Sequence, residues 1–337
     1  MRSDDGATLT LHIGIPKTAS TWLQDVLFPQ LPGIKSIPVP TSRLFDETED
    51  RDADGRLWAG CLRRSAALWP VFGDAVFAEM LGPKEPWLAA PRDVVVSEEG
   101  IGRAGSRPEQ LAAHLAAVRI HAQTWGFTRL KVICLLRRQD HWLASHYAQM
   151  SDRYADPGQA GFEDLVDKVA RPDRGRFMLG MMLDYGALLG AVADAVGSPN
   201  VLALPYEFLV NDPAAFRQAL LEFLRVADTP ELQTATAAET RRNARSEAAG
   251  LWRLQSAVPR SLPRRVRGRL ARSLGLPDPP PEPATIAVTP AITHRLLSTF
   301  ADANRQADRY TAVRLGPFGY LEAGAILGPA RVERAAE

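Results

Sequence analysis

A three-layer α/β sandwich, with a mostly parallel sheet between two helical layers, is what three stretches of this 337-residue chain predict. Residues 8–24 (TLTLHIGIPKTASTWLQ) read as a strand, a loop and a helix start in immediate succession. Residues 132–136 (VICLL) form a continuous apolar run of strand length, as expected for a central parallel strand covered on both faces. Residues 94–96 (VVV) read as another short buried strand, ending in Ser97, Glu98 and Glu99.

In the first stretch Leu9, Leu11 and Ile13 alternate with Thr10 and His12, a pattern for an inner strand with few polar atoms to satisfy. Gly14 and Pro16 break the strand. Lys17, Thr18, Ser20 and Thr21 then put an ammonium and three hydroxyls beside the first amides of a helix carrying Trp22, Leu23, Val26 and Leu27. Those amides have no partners within their helix, and the helix dipole adds partial positive charge, so a phosphate-like anion is expected here. The GxxxxGK[ST] loop of nucleotide hydrolases is excluded, because no glycine stands directly before Lys17. Taken alone, the hydroxyls also suit plain capping of the helix.

The string GIPKTASTWLQ resembles the 5′-phosphosulfate loop of the sulfotransferases, where a PKTGTTW-like sequence binds the sulfate donor 3′-phosphoadenosine 5′-phosphosulfate (PAPS). Pro16, Lys17, Thr18, Thr21 and Trp22 match directly, and Ser20 stands for a threonine. The resemblance implies donor binding along Pro16, Lys17, Thr18, Ala19, Ser20, Thr21 and Trp22, with Lys17 stabilising charge on the departing oxygen. Ala19 stands where many members have glycine, which predicts a backbone kept out of positive φ there. A second motif agrees. In residues 130–150 (LKVICLLRRQDHWLASHYAQM), Arg137 ends a strand, and Trp142 and Ser145 lie three apart on the helix that follows. Ligands of open α/β sheets gather outside the carboxyl ends of the strands, so this motif and Lys17 can share a cleft. In the sulfotransferases an arginine ending such a strand and a serine eight positions later hold the donor's 3′-phosphate, a role the resemblance carries to Arg137 and Ser145. Arg138 and Gln139 replace the common Asn and Pro, which leaves open which arginine makes the bidentate contact. The architecture so implied is that of the P-loop nucleotide kinases without their metal site.

Sulfuryl transfer to an alcohol needs a group to take the hydroxyl proton, and a carboxylate beside the cleft can do so. The segment around residues 97–99 resembles the Ser-x-Glu string that ends a strand in bacterial and glycan-type sulfotransferases. That alignment favours Glu99 as the base over Glu98, and a carbohydrate or glycolipid hydroxyl as the acceptor. Adjacent glutamates also commonly cap a helix or face solvent. The histidine base of the small-molecule enzymes, set in a Lys-Thr-His-like string, has no counterpart. His114 and His121 lie on a helix spanning 108–125, His141 and His146 follow Arg137, and none has an orienting partner in sequence.

Elsewhere, Pro29, Pro32, Gly33, Pro38 and Pro40 mark an irregular connection, and the acidic run 46–54 a solvated loop. Residues 57–80 carry Trp58, Cys61, Leu62, Leu68, Trp69 and Phe72 at helical spacing, a core pattern whose tryptophans also suit an acceptor pocket. Residues 151–161 have the composition of a mobile loop, and 162–169 and 176–196 read as helices. Met178, Met181 and Met182 suit packing, and 200–204 is another strand. The segment 206–213 (YEFLVNDP) resembles the Tyr-Glu-x-Leu segment of bacterial sulfotransferases, which makes Asp212 a cap for the helix reaching Leu224 and Glu207 a structural group near the nucleotide-side loops. Residues 240–246 (TRRNARS) fall where the family has a basic loop over the donor's adenosine and 3′-phosphate, so Arg241, Arg242 and Arg245 are implied as a clamp; a solvated helix face is the plainer account.

From 258 to 283 six arginines (260, 264, 265, 267, 269, 272) interleave with Leu262, Val266, Leu270 and Leu274 before a proline run. The expectation is leucines packed on the core with arginines in water, peripheral membrane contact through 260–272 being the alternative. A last helix, 290–313, presents Ile292, Leu296, Leu297 and Phe300 on one face, and its ADANRQADRY resembles the closing helix of bacterial sulfotransferases. The chain therefore divides into an α/β core at 1–256, an Arg/Pro-rich linker at 257–288, and a C-terminal helix and tail at 289–337.

Composition bounds the function. With 46% apolar and 23% charged residues and a net charge of +1, nothing points to a nucleic-acid partner. Only five of the 40 basic residues are lysine, so a lysine in the anion loop suggests that a compact point charge is wanted there. Cys61 and Cys134 are too few and too separate for a disulfide framework or a metal site. With no signal peptide and no apolar run of membrane-spanning length, a reducing cytoplasm is expected. The function expected is transfer from PAPS to an acceptor hydroxyl without a metal. The rivals are a kinase using ATP and magnesium, and a non-catalytic nucleotide-binding protein.

Overall fold

The computed structural model describes residues 6–38, 61, 66–103, 107–154, 157–171, 182–237, 250–255, 269, 273 and 284–321. Strands β1 (Ala7–His12), β2 (Ile34–Pro38), β3 (Asp93–Ser97), β4 (Phe127–Leu136) and β5 (Val201–Pro205) form one sheet. Its order is β2-β3-β1-β4-β5 and every pairing is parallel. The chain leaves β1 for β2, returns to β3 beside β1, and then crosses to β4 on the other side. The carboxyl ends of β3, β1 and β4 thus border the crevice where connections diverge.

The helices are α1 (Ser20–Trp22), α2 (Trp69–Leu81), α3 (Lys84–Ala89), α4 (Glu99–Arg103), α5 (Pro108–Thr124), α6 (Gln139–Met150) and α7 (Gln159–Val169). There follow α8 (Tyr185–Val196), α9 (Tyr206–Asn211), α10 (Pro213–Leu224), α11 (Pro230–Ala237), α12 (Pro290–Thr299) and α13 (Ala301–Ala307). α1 continues through a π-helical turn (Leu23–Leu27) and a 3-10 turn (Phe28–Gln30).

Side chains alternate between two cores, as a pleated strand requires. Leu9, Leu11, Val94, Val96, Val132, Cys134 and Leu136 meet Trp69, Phe77, Leu115, Trp142 and Tyr185 on one face. On the other, Val95, Ile133, Leu135, Leu202 and Leu204 meet Trp22, Leu27, Phe216 and Leu220. This is the predicted three-layer α/β sandwich, and it explains the unbroken apolar run of β4: from Leu130 to Leu136 every residue is buried. Each fully buried Val, Ile or Leu side chain among them contributes about 1.5–3 kcal/mol of burial free energy.

Several local expectations change. The segment read as an irregular connection contains β2, an edge strand that tolerates Pro38 because it is hydrogen-bonded on one side only. Within 151–161, Ser151–Arg153 make a 3-10 turn, Tyr154 stacks on Tyr147 at 4.9 Å, and Gln159 opens α7. The last helix breaks at Phe300, which is buried in the first core, to give α12 and α13. Asp212 caps α10 as expected, accepting from the Ala215 amide at 3.0 Å. β6 (Leu251–Arg253) and β7 (Thr285–Ala287) pair antiparallel, with Trp252 and Ile286 buried, although residues 285–287 lie in the stretch read as linker. Trp58, Leu62, the run 46–54, Met178, Met181, Arg241, Arg242, Arg245 and, apart from Arg269, the segment 260–272 lie outside the described residues; Met182 packs in the first core. No helix among the described residues is long and apolar enough to cross a membrane.

One polar strand residue carries a measurable cost. His12 is fully buried on the second face, its Nδ1 sharing a 2.7 Å hydrogen bond with Ser97 Oγ, and its Nε2 has no partner among the described residues. Burial pushes its pKa from 6.5 down to about 3. The folded protein therefore holds His12 neutral while the unfolded chain binds a proton below pH 6.5, so this contribution is complete above pH 6.5 and declines towards pH 3. His12→Gln is expected to lose less stability than the wild type on going from neutral pH to pH 4, by on the order of 2–3 kcal/mol in urea titrations at each pH.

Candidate active site

The anion loop is built from the end of β1. The Ile13 amide continues the sheet by donating to the Ile133 carbonyl at 3.0 Å, and the Ile13 carbonyl accepts from the Gly102 amide at 2.9 Å. α4 can come that close only as glycine, since a Cβ on Gly102 would stand 1.9 Å from the Gly14 carbonyl oxygen. Gly14 itself has φ 46°, and Glu99 and Ser20 occupy the space a Cβ there would need. The loop then turns through Lys17 and Ala19, both at φ 70°. The expectation that Ala19 avoids positive φ is therefore wrong. A left-handed residue directly before helical Ser20 turns successive N–H groups to one side, making an anion-binding concavity, and the loop adopts that turn despite the Cβ of alanine.

Its side chains divide into those that build the loop and those left open to a ligand. Pro16 is buried, and its carbonyl accepts from the Trp142 indole at 2.6 Å. Thr18 is buried and its hydroxyl donates to the Ile15 carbonyl at 2.5 Å, so that hydrogen is committed to the loop. Trp22 is 3% exposed and packs on Phe216 in the second core, anchoring α1 rather than facing a cleft. Lys17 is half-buried and Thr21 exposed. Ser20 Oγ is buried with no hydrogen-bond partner among the described residues, a hydroxyl with unused capacity at the head of the helix.

The neighbouring strand ends supply charge. Arg137, 4% exposed, donates from Nη1 to the Lys17 carbonyl at 2.9 Å and lies 4.8 Å from the centre of the Tyr206 ring. Arg138 is occupied elsewhere. Its Nε and Nη2 make a bidentate pair with Asp140 at 2.8 and 2.9 Å, and Nη2 also meets His141 Nε2 at 2.8 Å. Of the two arginines, Arg137 is the one that touches the anion loop. Ser145 is half-buried, one helical step from Trp142 on the face of α6 that meets Pro16.

Across the loop, Glu98 is 1% exposed and turns its Oε1 to the Gly100 amide at 2.6 Å, an internal cap. Glu99 is half-exposed beside Gly14 and acts electrostatically on Lys17. Burial lowers the Lys17 pKa most, the Arg137 charge adds to that, and the Glu99 charge opposes it. Lysine, glutamate and arginine thus meet from the ends of β1, β3 and β4.

His114, His121, His141 and His146 each have ring or hydrogen-bond partners of their own. His114 accepts from the Trp69 indole at 3.1 Å inside the first core, and His121 packs against the same tryptophan. Burial pushes His141 down to about 4, and His146 stacks on Trp142 at 4.8 Å. Two contributors escaped sequence reasoning. Gly102 shows itself only through the close approach of α4. Tyr206 lies in a motif read for its glutamate, yet its ring covers the Arg137 guanidinium. Among the described residues no group of three or more His, Cys, Asp or Glu side chains is placed to hold a metal ion.

Because Ala19 holds a left-handed conformation that disfavours a Cβ, Ala19→Gly is expected to stabilise the protein by about 1 kcal/mol in urea unfolding at neutral pH. An unchanged or lower midpoint would show that Ala19 packing outweighs the backbone strain.

No protein-family profile matches the chain, and no curated protein sequence does. Solved structures do. A sulfotransferase from Alicyclobacillus acidocaldarius is similar at 14% identity and a TM-score of 0.41, over 69% of this chain and 91% of that one. The mouse sulfotransferase SULT7A1, solved in complex with PAP, is similar at 14% identity and a TM-score of 0.38, over 72% of this chain and 68% of its own. The sulfotransferase domain of the olefin synthase of Synechococcus PCC 7002 is similar at 18% identity and a TM-score of 0.37, over 70% of this chain and 80% of that domain. All three of these solved proteins are sulfotransferases.

Proposed function

We propose that the protein is a sulfotransferase that carries the sulfuryl group of PAPS to a hydroxyl of an acceptor, of carbohydrate or glycolipid type, by in-line displacement. The observation that carries this reading is the meeting of Lys17, Glu99 and Arg137 around a left-handed anion loop at the carboxyl edge of a parallel sheet. In such a transfer a bond forms between acceptor oxygen and sulfur while the bond from sulfur to the bridging phosphate oxygen breaks, and negative charge grows on that oxygen. Lys17 meets this charge. Its lowered pKa reflects partial burial, and a fixed charge in a drier site stabilises a developing anion more than one in water.

The loop amides, Ser20 Oγ and Thr21 hold the 5′-phosphate; the unpartnered, buried Ser20 hydroxyl fits a phosphate oxygen. Arg137 and Ser145 hold the 3′-phosphate, and Arg242 completes a clamp on the adenosine side. Glu99 takes the acceptor proton, since Glu98 is committed to the Gly100 amide. The Ser97-to-Glu99 string supports the carbohydrate-type acceptor.

Binding of adenosine 3′,5′-bisphosphate and of ADP, measured by calorimetry without magnesium, tests the donor. The bisphosphate is expected to bind tighter by about tenfold or more, and Arg137→Ala to abolish the difference, as loss of a charge-assisted contact would. ADP binding as tightly, or only with magnesium, would pass the reading to a kinase.

Sulfuryl transfer to a panel of carbohydrate and glycolipid acceptors tests the chemistry. Lys17→Met is expected to lower turnover about a hundredfold or more with the bisphosphate still bound, and Glu99→Gln to lower it with donor affinity unchanged. Full turnover in Glu99→Gln would remove Glu99 from the mechanism.

A further inference from the structure

The peptide unit that follows Arg137 is held at both of its polar atoms by side chains from distant parts of the chain, the buried Tyr185 and the half-buried Glu207. Tyr185 donates its hydroxyl to the Arg137 carbonyl at 2.6 Å. Glu207 Oε1 accepts from the Arg138 amide at 2.9 Å, and Glu207 Oε2 accepts from the Tyr320 hydroxyl at 2.7 Å, across 113 positions of sequence. Tyr185 and Tyr320 are fully buried, with ring centres 6.4 Å apart. Burial pushes the Glu207 carboxyl up, while the Arg138 amide, the Tyr320 hydroxyl and the Arg137 charge pull it back.

The next two residues are tied to the same C-terminal region. Gln139 and Asn304 exchange amide hydrogen bonds at 2.6 and 3.2 Å, and Asn304 also donates to the Tyr320 carbonyl at 2.9 Å. Asp140 accepts from the Thr293 hydroxyl at 2.7 Å. A peptide unit captured at its carbonyl and its amide cannot rotate without leaving a buried polar group unsatisfied. Its orientation sets the direction in which the Arg137 side chain leaves the backbone. The guanidinium is then steadied from outside by the Lys17 carbonyl and the Tyr206 ring.

We propose that Tyr320 is a positioning residue for donor recognition: through Glu207 it fixes the Arg137–Arg138 peptide and aims the Arg137 guanidinium, so that the C-terminal segment sets discrimination for the 3′-phosphate. This rests on the reading of Arg137 as the 3′-phosphate contact. Tyr320 touches no reacting atom and acts through two intermediaries, so its removal should blunt discrimination more than it weakens binding of the common 5′ portion. Asn304, which holds Tyr320 and Gln139 together, belongs to the same support.

The test uses the full-length protein and two variants, Tyr320→Phe, which keeps the ring and removes the hydroxyl, and Glu207→Gln, which keeps the shape and an acceptor for the Arg138 amide. Affinities for adenosine 3′,5′-bisphosphate and ADP are measured without magnesium, with thermal midpoints and with hydrogen exchange at the Arg138 amide in ligand-free protein. Tyr320→Phe is expected to reduce the bisphosphate-to-ADP affinity ratio about tenfold and to speed Arg138 amide exchange, while ADP affinity changes less than about twofold; Glu207→Gln should retain a larger share of the ratio. A Tyr320→Phe protein with a lowered thermal midpoint and an unchanged ratio would make Tyr320 merely structural and overturn the proposal while leaving the donor reading intact. A wild type that does not discriminate would overturn the donor reading, and this inference with it.

Discussion

The site depends on one constraint, the parallel pairing of β1 with β3 on one side and β4 on the other. Leu11 lies opposite Val96 and also opposite Val132, so β1 and β3 end level with each other while β4 runs on to Leu136 at the same edge. Three loops that are remote in sequence then open on the same edge, bringing Lys17, Glu99 and Arg137 to it. The contacts between loops follow from that alignment. Glu98 donates its amide to the His12 carbonyl at 2.9 Å, Gly102 to Ile13, and Arg137 to Lys17, so each loop is fastened to its neighbour through backbone oxygens. Carbonyls occupied in this way leave amides and cationic side chains to face the crevice, which gives it an anion-binding character.

Behind the loop, polar atoms are buried only where they tie elements together. Gln24, in the helical turn after α1, donates to Ser97 Oγ at 3.0 Å, and Ser97 shares its hydroxyl with His12. This joint connects the helix that carries the anion loop to the strand that carries Glu99. It sits on a face otherwise filled by Val95, Ile133 and Leu135, and the buried neutral histidine is its energetic cost.

The C-terminal segment plays a comparable part on the other side. α12, α13 and the residues up to Tyr320 place Thr293 on Asp140 and Asn304 on Gln139, and place Tyr320 on Glu207, which in turn holds the Arg138 amide. The strand-to-helix turn after β4 is therefore defined jointly by its own sequence and by a segment more than a hundred residues away. Arg138 illustrates the consequence. It could serve a phosphate as well as Arg137 by chemistry alone, but Asp140, itself held by Thr293, takes its fork.

Much of the fold was legible because its signals are local. The apolar run of β4, the alternation in β1 and the break at Gly14 and Pro16 each report burial or backbone geometry within a few residues. Asp212 was readable as a cap because its partner, the Ala215 amide, is three positions on. The candidate site was legible as residue types at the carboxyl ends of strands. β2 was not legible, since a short edge strand set among prolines and ending at Pro38 is defined by its pairing with β3 and not by its own pattern. Nor was the left-handed turn at Ala19: alanine disfavours it locally, and only the neighbours that fix both ends of the loop outweigh that preference. Nor were the internal partners of Thr18 and Trp22, two residues of the donor-loop motif: the Ile15 carbonyl and the Phe216 ring. By itself, then, the sequence determined the layered α/β class and the cations, hydroxyls and carboxylates available at the strand ends. Which of them face the crevice and which serve the scaffold was decided by tertiary structure, because a polar side chain commits its hydrogen bonds to whatever partner the fold brings within reach, whether that partner is near in sequence, as for Thr18 and Arg138, or more than a hundred residues away, as for Arg137 and Trp142.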